Sequence, residues 1–565
     1  MKILRIISLA AAVSVGAAPL FSCGKKRNAH GEPPVQVVKE TTTAEPTSIQ
    51  PTATFPDYPV SYPDIEPKDT GNLYEAEKAQ FRGSLKIDYD NDNYSGEGYV
   101  TGFAANGSTA VIFSVNAPSN QHYDISFNIA AAKETDCRIT INDSQAATFK
   151  TAADSRFTQI TIHGVFLVKG RSTIELRPEN GNICLDYLKL ENSSSLGDIK
   201  YDADGKPVNK NAGEAARKLL GFLSDSYGKY IITGQYAADD DNSELDLIYE
   251  TTGKYPVIRF SNFTVPRGTV DESFKSVDAC ADWYRNGGIS CVSWYWSSPS
   301  AKSSIRTDES DFNLSAAVTD TDIAMLSQEE VRGLYGEGKI SEQTYSLILD
   351  IDNMAGQLTS LKNKGIPVLW RPLPEGSGDW YWWGASGPEA YKWLWQLLYT
   401  RLTDYFELDN LIWIWNGQSE STLVKKSTYD IAAADLYVNK AKDYGDRFYE
   451  KFAAIQKAAG SDKLIAISEC GSVPDIDSSF RDNSVWSFFG LWSGKYVEDE
   501  NGGYSEEFTS RENLIRTYNS TGALTLDEYR RLTGMDKDGV SPEATVPTTA
   551  PPPTTAAATE ETTGA

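Results

Sequence analysis

The stretch 367-PVLWRPLPEGSGDWYWWG-384 decides how this chain is read. A short apolar run leads into Arg371, then two prolines and Glu375, and then the rings Trp380, Tyr381, Trp382 and Trp383. An apolar run of that length bounded by turn residues reads as a buried strand, with Glu375 where the strand leaves the core. Similar runs lie on both sides of it: 230-YIITGQY-236, 256-PVIRFSNF-263, 288-GISCVSWYW-296, 411-LIWIWNGQ-418, 429-YDIAAADLY-437, 463-KLIAISE-469 and 486-WSFFGLW-492. Helical segments such as 345–365 and 390–406 fall between them. Eight strands separated by helices predict a (β/α)8 TIM barrel over residues 211–533. A doubly wound sheet is the structural alternative, but no Gly-rich phosphate loop recommends it.

Upstream the texture differs. Residues 72–194 carry short alternating segments, among them STAVIFSV, YDISFNIAA, CRITIND and STIELRP, with turn residues at close intervals. Period-two alternation predicts an antiparallel, jelly-roll-like β-sandwich. Residues 195–210 read as a linker between the two domains. Residues 24–71 and 534–565 are rich in Pro and Thr and read as an extended linker and a tail. Residues 1–23 pair Lys2 and Arg5 with an apolar run, and 20-LFSC-23 resembles a bacterial lipoprotein cleavage box. Export is the expectation, with a lipid on Cys23 as the only membrane attachment.

Bulk chemistry narrows the function. Lys and Arg number 53 against 78 Asp and Glu, a net charge of −25. No basic patch offers itself to phosphate, so a nucleic-acid partner is not expected, and a neutral substrate fits better than an anionic one. The three histidines, His30, His122 and His163, all precede the barrel, which excludes a His-ligated metal or a Ser-His-Asp triad there. Thirteen Trp, thirty Tyr and twenty-one Phe suit the flat faces of sugars as well as an ordinary core. Cys137 with Cys184, and Cys280 with Cys291, are pairs that an oxidising compartment would allow to bridge.

In a TIM barrel the chemistry sits at the carboxyl ends of the strands. Glu375 ends the fourth strand and Glu469 the seventh, so both would face one mouth. Glycoside cleavage with retention uses two carboxyls about 5–5.5 Å apart, one protonated to release the leaving oxygen and one ionised to attack. Rings beside the acid exclude water and raise its pKa.

The segment WRPLPEGSGDWYWWG resembles the acid/base motif of glycoside hydrolase family 26, and ISECGSVPD resembles its nucleophile motif. IITGQY, GGISCVSWYWSSP, ILDIDNMAGQLTSLKNKGIPVLWRP, NLIWIWNGQ, YDIAAADLY and VWSFFGLWSG follow in the order of the family, whose best-known members are endo-β-1,4-mannanases. The resemblance implies Glu375 as acid/base, Glu469 as nucleophile, and Trp380, Tyr437 and Trp492 lining the sugar site. Arg371, Tyr295 and Trp294 join them as substrate-site candidates. Two departures stand out: Pro374 and Tyr295 occupy places where the family usually has histidine. Proline has no side-chain donor, so that interaction is lost or supplied from elsewhere; Tyr295 can still donate.

The sandwich resembles carbohydrate-binding module family 35 through YEAEKAQF, GEGYVTGF and 182-NICLDYLKLE. That resemblance implies a structural Ca²⁺ held by Glu75, Glu77 and Asp186, hard oxygen donors suited to calcium. Asn182 and Tyr99 are candidate ligand contacts. The expectation is an exported monomer that cuts neutral β-mannan internally, with no cofactor for catalysis. Hydrolysis of a mixed-linkage glucan and non-catalytic glycan binding are the competing readings.

Overall fold

The computed structural model describes residues 58–63, 72–118, 121–167, 169–193, 199–238, 240–263, 274–437 and 448–534. The export segment with Cys23, most of the first linker and the tail from 535 onward lie outside the described residues.

The barrel is closed by eight strands, each parallel to its neighbours. In order they are Gly234–Tyr236, Ile258–Asn262, Ile289–Trp294, Val368–Pro372, Leu411–Trp415, Ile431–Leu436, Leu464–Cys470 and Phe489–Leu491. Their runs (LIWIW, IAAADL, LIAISEC) are buried throughout, because helices cover the outside while side chains fill the inside. The helical segment expected at 345–365 is Glu342–Asn363, N-capped by the Ser341 side chain. The one expected at 390–406 is Pro388–Tyr399, continued by a π-helical turn over Thr400–Tyr405.

Within the barrel wall, strand alternation sorts side chains by face. On the third strand Ser293 faces inward, its hydroxyl accepting from Arg371 Nη1 at 3.3 Å. Its neighbour Trp294 therefore turns outward, stacked on Trp296 with ring centroids 4.0 Å apart and 1% exposed. A bulge interrupts the pairing of strands six and seven: Ala434 opposes Ile467, whereas Asp435 opposes Glu469. The extra residue is Ser468. A bulge re-aims side chains, and here Ser468 and Glu469 both reach the polar network inside the barrel mouth.

The N-terminal domain packs two antiparallel sheets face to face. One contains Gln121–Ala131, Asp154–Leu167 and Cys184–Asn192; the other contains Ala110–Ala117, Asp136–Ile141 and Gly170–Pro178. Phe113, Val115 and Ala117 are buried while Ser114 and Asn116 are exposed, the alternation that the sequence carries. Short strands at Asn72–Glu75, Gln80–Arg82 and Lys86–Asp88 complete the edges, too brief to show a period. The five cysteines among the described residues are unbridged.

The two linkers are partly docked. Tyr201, in the segment between the domains, accepts a hydrogen bond from Val485 N at 2.9 Å, and Val208 N donates to Asp430 Oδ1 at 2.7 Å. Ser61 forms a β-bridge with Ser520 on the barrel.

Candidate active site

The centre of the barrel mouth is a guanidinium. Arg371 is fully buried and binds two carboxylates, Asp435 through Nη2 and Glu469 through Nη1, the latter at 3.0 Å. Burial is the largest influence and opposes its charge, but Asp435, Tyr236, Tyr295 and Glu469 together more than offset it, and the group stays firmly protonated. A buried charge needs such partners, since an uncompensated one costs several kcal/mol.

Glu469 is 6% exposed and accepts at both oxygens. Tyr437 donates to Oε1, and Tyr295 and Arg371 donate to Oε2. An arginine can only donate, so this is the hydrogen-bond pattern of a carboxylate. The two tyrosine rings and Arg371 also fix where the carboxylate points.

Glu375 lies three residues beyond the fourth strand, on a loop whose backbone is unusual. Leu373 and Glu375 both adopt left-handed φ, at 50° and 52°. Non-glycine residues there carry strain of about 1–3 kcal/mol each, and such strain clusters at functional sites. The loop is held by Trp383, whose indole donates to Pro374 O at 2.7 Å, and by Asn416 Oδ1, which accepts from Glu375 N at 2.7 Å. Trp380 Nε1 donates to Glu375 Oε2 at 2.8 Å and Gln418 Nε2 to Oε1 at 3.3 Å. Desolvation raises the pKa of Glu375, and the nearby charge of Glu469 raises it further, against the lowering pull of the Trp380 hydrogen bond. One carboxyl is thus tuned toward the acid form, while its neighbour is presented with donors on both oxygens. Pairs of carboxyls set apart in this way divide into acid and nucleophile.

The structure brings Glu375, Glu469, Arg371, Tyr295, Tyr437, Trp380 and Trp492 to one mouth. Trp492 is half-buried, packed on Tyr236 at 4.5 Å and on Tyr295 at 5.8 Å between ring centroids. Trp380 is 40% exposed and offers a free ring face. Trp294 is corrected: alternation sends it into the wall, away from any substrate. Trp382 and Trp383 are likewise fully buried, so of the aromatic cluster Trp380 is the ring with a large open surface. Sequence reading missed Asp435, Asn416, Gln418 and Ser468. An aspartate inside IAAADL and an asparagine directly after LIWIW were the available signals, since a buried polar residue in an apolar strand needs a purpose.

In the sandwich, Glu75, Glu77 and Asp186 converge around Ser95. Its hydroxyl donates to Glu75 Oε2 at 2.8 Å, and its N–H to Asp186 Oδ1 at 2.9 Å. Burial chiefly raises Glu75 and Asp186, and the charge of Glu77 adds to both. Glu77 Oε2 is buried with no hydrogen-bond partner. The donors are all oxygen and one is orphaned, a set whose chemistry fits a hard cation. Among the described residues no three His, Cys, Asp or Glu side chains are already grouped around an ion. Tyr99 is also corrected as a ligand contact, while Asn182 stays exposed. Asn182 Oδ1 is spent on the N–H groups of Gly102 and Phe103, at 3.0 and 2.8 Å, and Tyr99 is 4% exposed.

A closed parallel barrel with two carboxyls in different hydrogen-bonded surroundings at its carboxyl-terminal mouth defines a glycosidase-type hydrolase, here joined to a β-sandwich. The profile of glycosyl hydrolase family 26 matches residues 208–514, and that of carbohydrate binding module family 35 matches residues 72–193. The chain belongs to glycosyl hydrolase family 26. It is 31% identical to a mannan endo-1,4-beta-mannosidase of Thermothelomyces thermophilus, over 83% of this chain and 92% of that one. It is 27% identical to mannan endo-1,4-beta-mannosidase A of a Piromyces species, over 80% and 72%. Among solved structures, the GH26-CBM35 β-(1,4)-mannanase of Podospora anserina superposes with a TM-score of 0.61 at 30% identity, covering 81% of this chain and 98% of that one.

Proposed function

We propose that this protein is a retaining endo-β-1,4-mannanase that cuts mannan, glucomannan or galactomannan by double displacement. The observation that carries the reading is the pair Glu375 and Glu469 at one barrel mouth, Glu375 raised by burial and Glu469 accepting from Arg371. Glu469 attacks the anomeric carbon while Glu375, whose dry surroundings favour the protonated form, gives its proton to the departing oxygen. Tyr295, Tyr437 and Arg371 hold Glu469 on line for attack, a positioning effect rather than a chemical step. Glu375, now ionised, then takes a proton from water, and that water releases the sugar from Glu469. Trp380 and Trp492 supply ring faces for the substrate. The activities in the names of the two fungal relatives support mannan as the polymer.

Tyr295 and Pro374, in places where the family usually has histidine, favour a second reading in which the reactive subsite takes another β-linked glycan. Purified protein incubated with galactomannan, glucomannan and lichenan, beside a Glu469→Gln variant, separates the readings. Mannose oligomers released only by the unmutated protein support the first, and cleavage of lichenan alone supports the second. Binding of polymer with no cleavage of any would sink both.

Calcium in the sandwich belongs to the same proposal: Glu75, Glu77 and Asp186 would hold it, and it would brace the module. So does export with a lipid on Cys23, for which radiolabelled palmitate and a Cys23→Ser variant are the check. A variant that still partitions with membranes removes the lipid anchor from the account.

A further inference from the structure

Pro374 brings no side-chain donor to Glu375; Trp380 serves Oε2, and the fifth-strand loop reaches the other oxygen. We infer that the turn Asn416-Gly417-Gln418 clamps the acid/base, with Gln418 as the positioning residue that supplies the donor Pro374 lacks. The inference rests on Glu375 being the acid/base.

Three contacts make the clamp. Glu375 N donates to Asn416 Oδ1 at 2.7 Å, Gly376 N donates to Asn416 O at 3.3 Å, and Gln418 Nε2 donates to Glu375 Oε1 at 3.3 Å. Together they fix both the backbone and the carboxyl of one residue from one turn. The turn is itself built for this. Gln418 adopts a left-handed φ of 58°, which swings its side chain back toward Glu375. Position 417 admits no Cβ, which would collide with the Trp415 ring and the Thr422 hydroxyl. Lys451 Nζ donates to Gln418 O at 3.3 Å and Thr422 Oγ1 to Gly417 O at 2.8 Å, pinning the turn from behind. Asn416 Nδ2 also donates to Ser468 Oγ at 2.9 Å, so the clamp is braced against the residue before Glu469.

The chemistry follows from what an N–H does to a carboxyl. It favours the ionised form, so Gln418 eases departure of the proton in the first step and steadies the base in the second. Removing it raises the pKa of Glu375. Activity that needs protonated Glu375 then persists to higher pH, and the alkaline limb moves up. Glu375 is also faced by Glu469, Arg371, Asp435, Lys451 and Tyr381 from the surrounding elements. These groups are unchanged in a Gln418 variant, so a displaced limb reads Gln418 alone.

The test uses the full chain, with kcat/KM measured against pH on β-mannan and on a 2,4-dinitrophenyl β-mannooligoside whose phenolate leaves without acid help. Gln418→Ala should lower kcat/KM on mannan about tenfold, the scale of one hydrogen bond to a charged group. It should leave the aryl substrate unchanged and move the alkaline limb up. Gln418→Glu, which places an acceptor and a negative charge opposite Glu375, should move that limb further. An equal fall on both substrates with a stationary limb, or no change on either, overturns the clamp. If the Gln418 variants lose their cooperative melt, Thr422→Val, which releases the Gly417 carbonyl without changing any charge, reads the same turn and should shift the limb the same way by less; a stationary limb there likewise overturns it. Glu375→Ala runs alongside and should cost about 10²–10⁴-fold in kcat/KM on mannan, while on the aryl substrate kcat/KM, which reads the first step, holds and kcat falls for want of the base. Retained mannan cleavage in that variant defeats the acid/base reading, whatever Gln418 does.

Discussion

The barrel mouth and the sandwich both gather three carboxyls, and they handle the charge in opposite ways. At the mouth, Asp435 and Glu469 share Arg371, with Glu375 tuned by both its dry setting and Glu469. In the sandwich, Glu75, Glu77 and Asp186 meet Ser95 and Asn128, neutral donors, and Lys78 is the weakest of the influences on Glu75. One cluster carries its counter-charge within the fold; the other leaves negative charge for something external to balance. Resident compensation gives a site of fixed geometry. Uncompensated charge gives a site whose geometry and stability depend on its occupant.

The largest effect should come from the mouth. Glu469→Gln keeps the shape but removes the nucleophile, and turnover on mannan should fall on the order of 10⁴-fold or more. Reducing-sugar release measures it; residual activity near that of the unmutated enzyme would erase the distinction between the two clusters. Arg371→Met removes the resident counter-charge and strands two buried carboxylates. Urea unfolding of the barrel should show a loss of about 3–5 kcal/mol, the cost of breaking a buried pair. A loss below the error of that measurement would mean the guanidinium is ornamental.

The sandwich should respond to ions and pH instead. Saturating calcium, at a hundred times its dissociation constant, should stabilise the module by about 2.7 kcal/mol in calorimetry of the full chain at pH 7. Glu75 and Asp186 lie above their ordinary values of 4.5 and 3.8, so the metal-free folded module holds protons the unfolded chain has released. Their contribution is fully present below those ordinary values and is lost as pH rises through the raised ones. In EDTA the module should therefore lose stability as pH climbs from about 4, and the calcium increment should grow over the same window. An increment independent of pH counts against these carboxylates as ligands. Smallest of all, Glu77→Gln gives the orphaned oxygen's place to an amide. It should stabilise the EDTA form by about 1 kcal/mol while blunting the calcium response. An unaltered response would remove Glu77 from the set.

The ring of strands and the position of both glutamates were legible because most barrel strands lie in short, mainly apolar runs with polar residues at the carboxyl end. Glu375, Glu469, Tyr437 and Trp492 could be read for that reason. The short sandwich strands Asn72–Glu75, Gln80–Arg82 and Lys86–Asp88 could not, because segments of three or four residues carry no period. Trp294 was misread because a tryptophan at a strand's end looks the same from either face, and only the inward turn of Ser293 and Arg371 fixes its direction.

By itself, then, the sequence determined the sandwich and the eight-strand ring and singled out Glu375 and Glu469 at strand ends, since burial pattern and strand ends are local properties. Tertiary structure alone decided that Arg371 serves Asp435 and Glu469 together, that Ser468 bulges to bring Glu469 onto the network, and that Gln418 reaches Glu375. Those contacts join residues 98, 64 and 43 positions apart. No local pattern encodes a hydrogen bond between distant loops; closing the ring creates it.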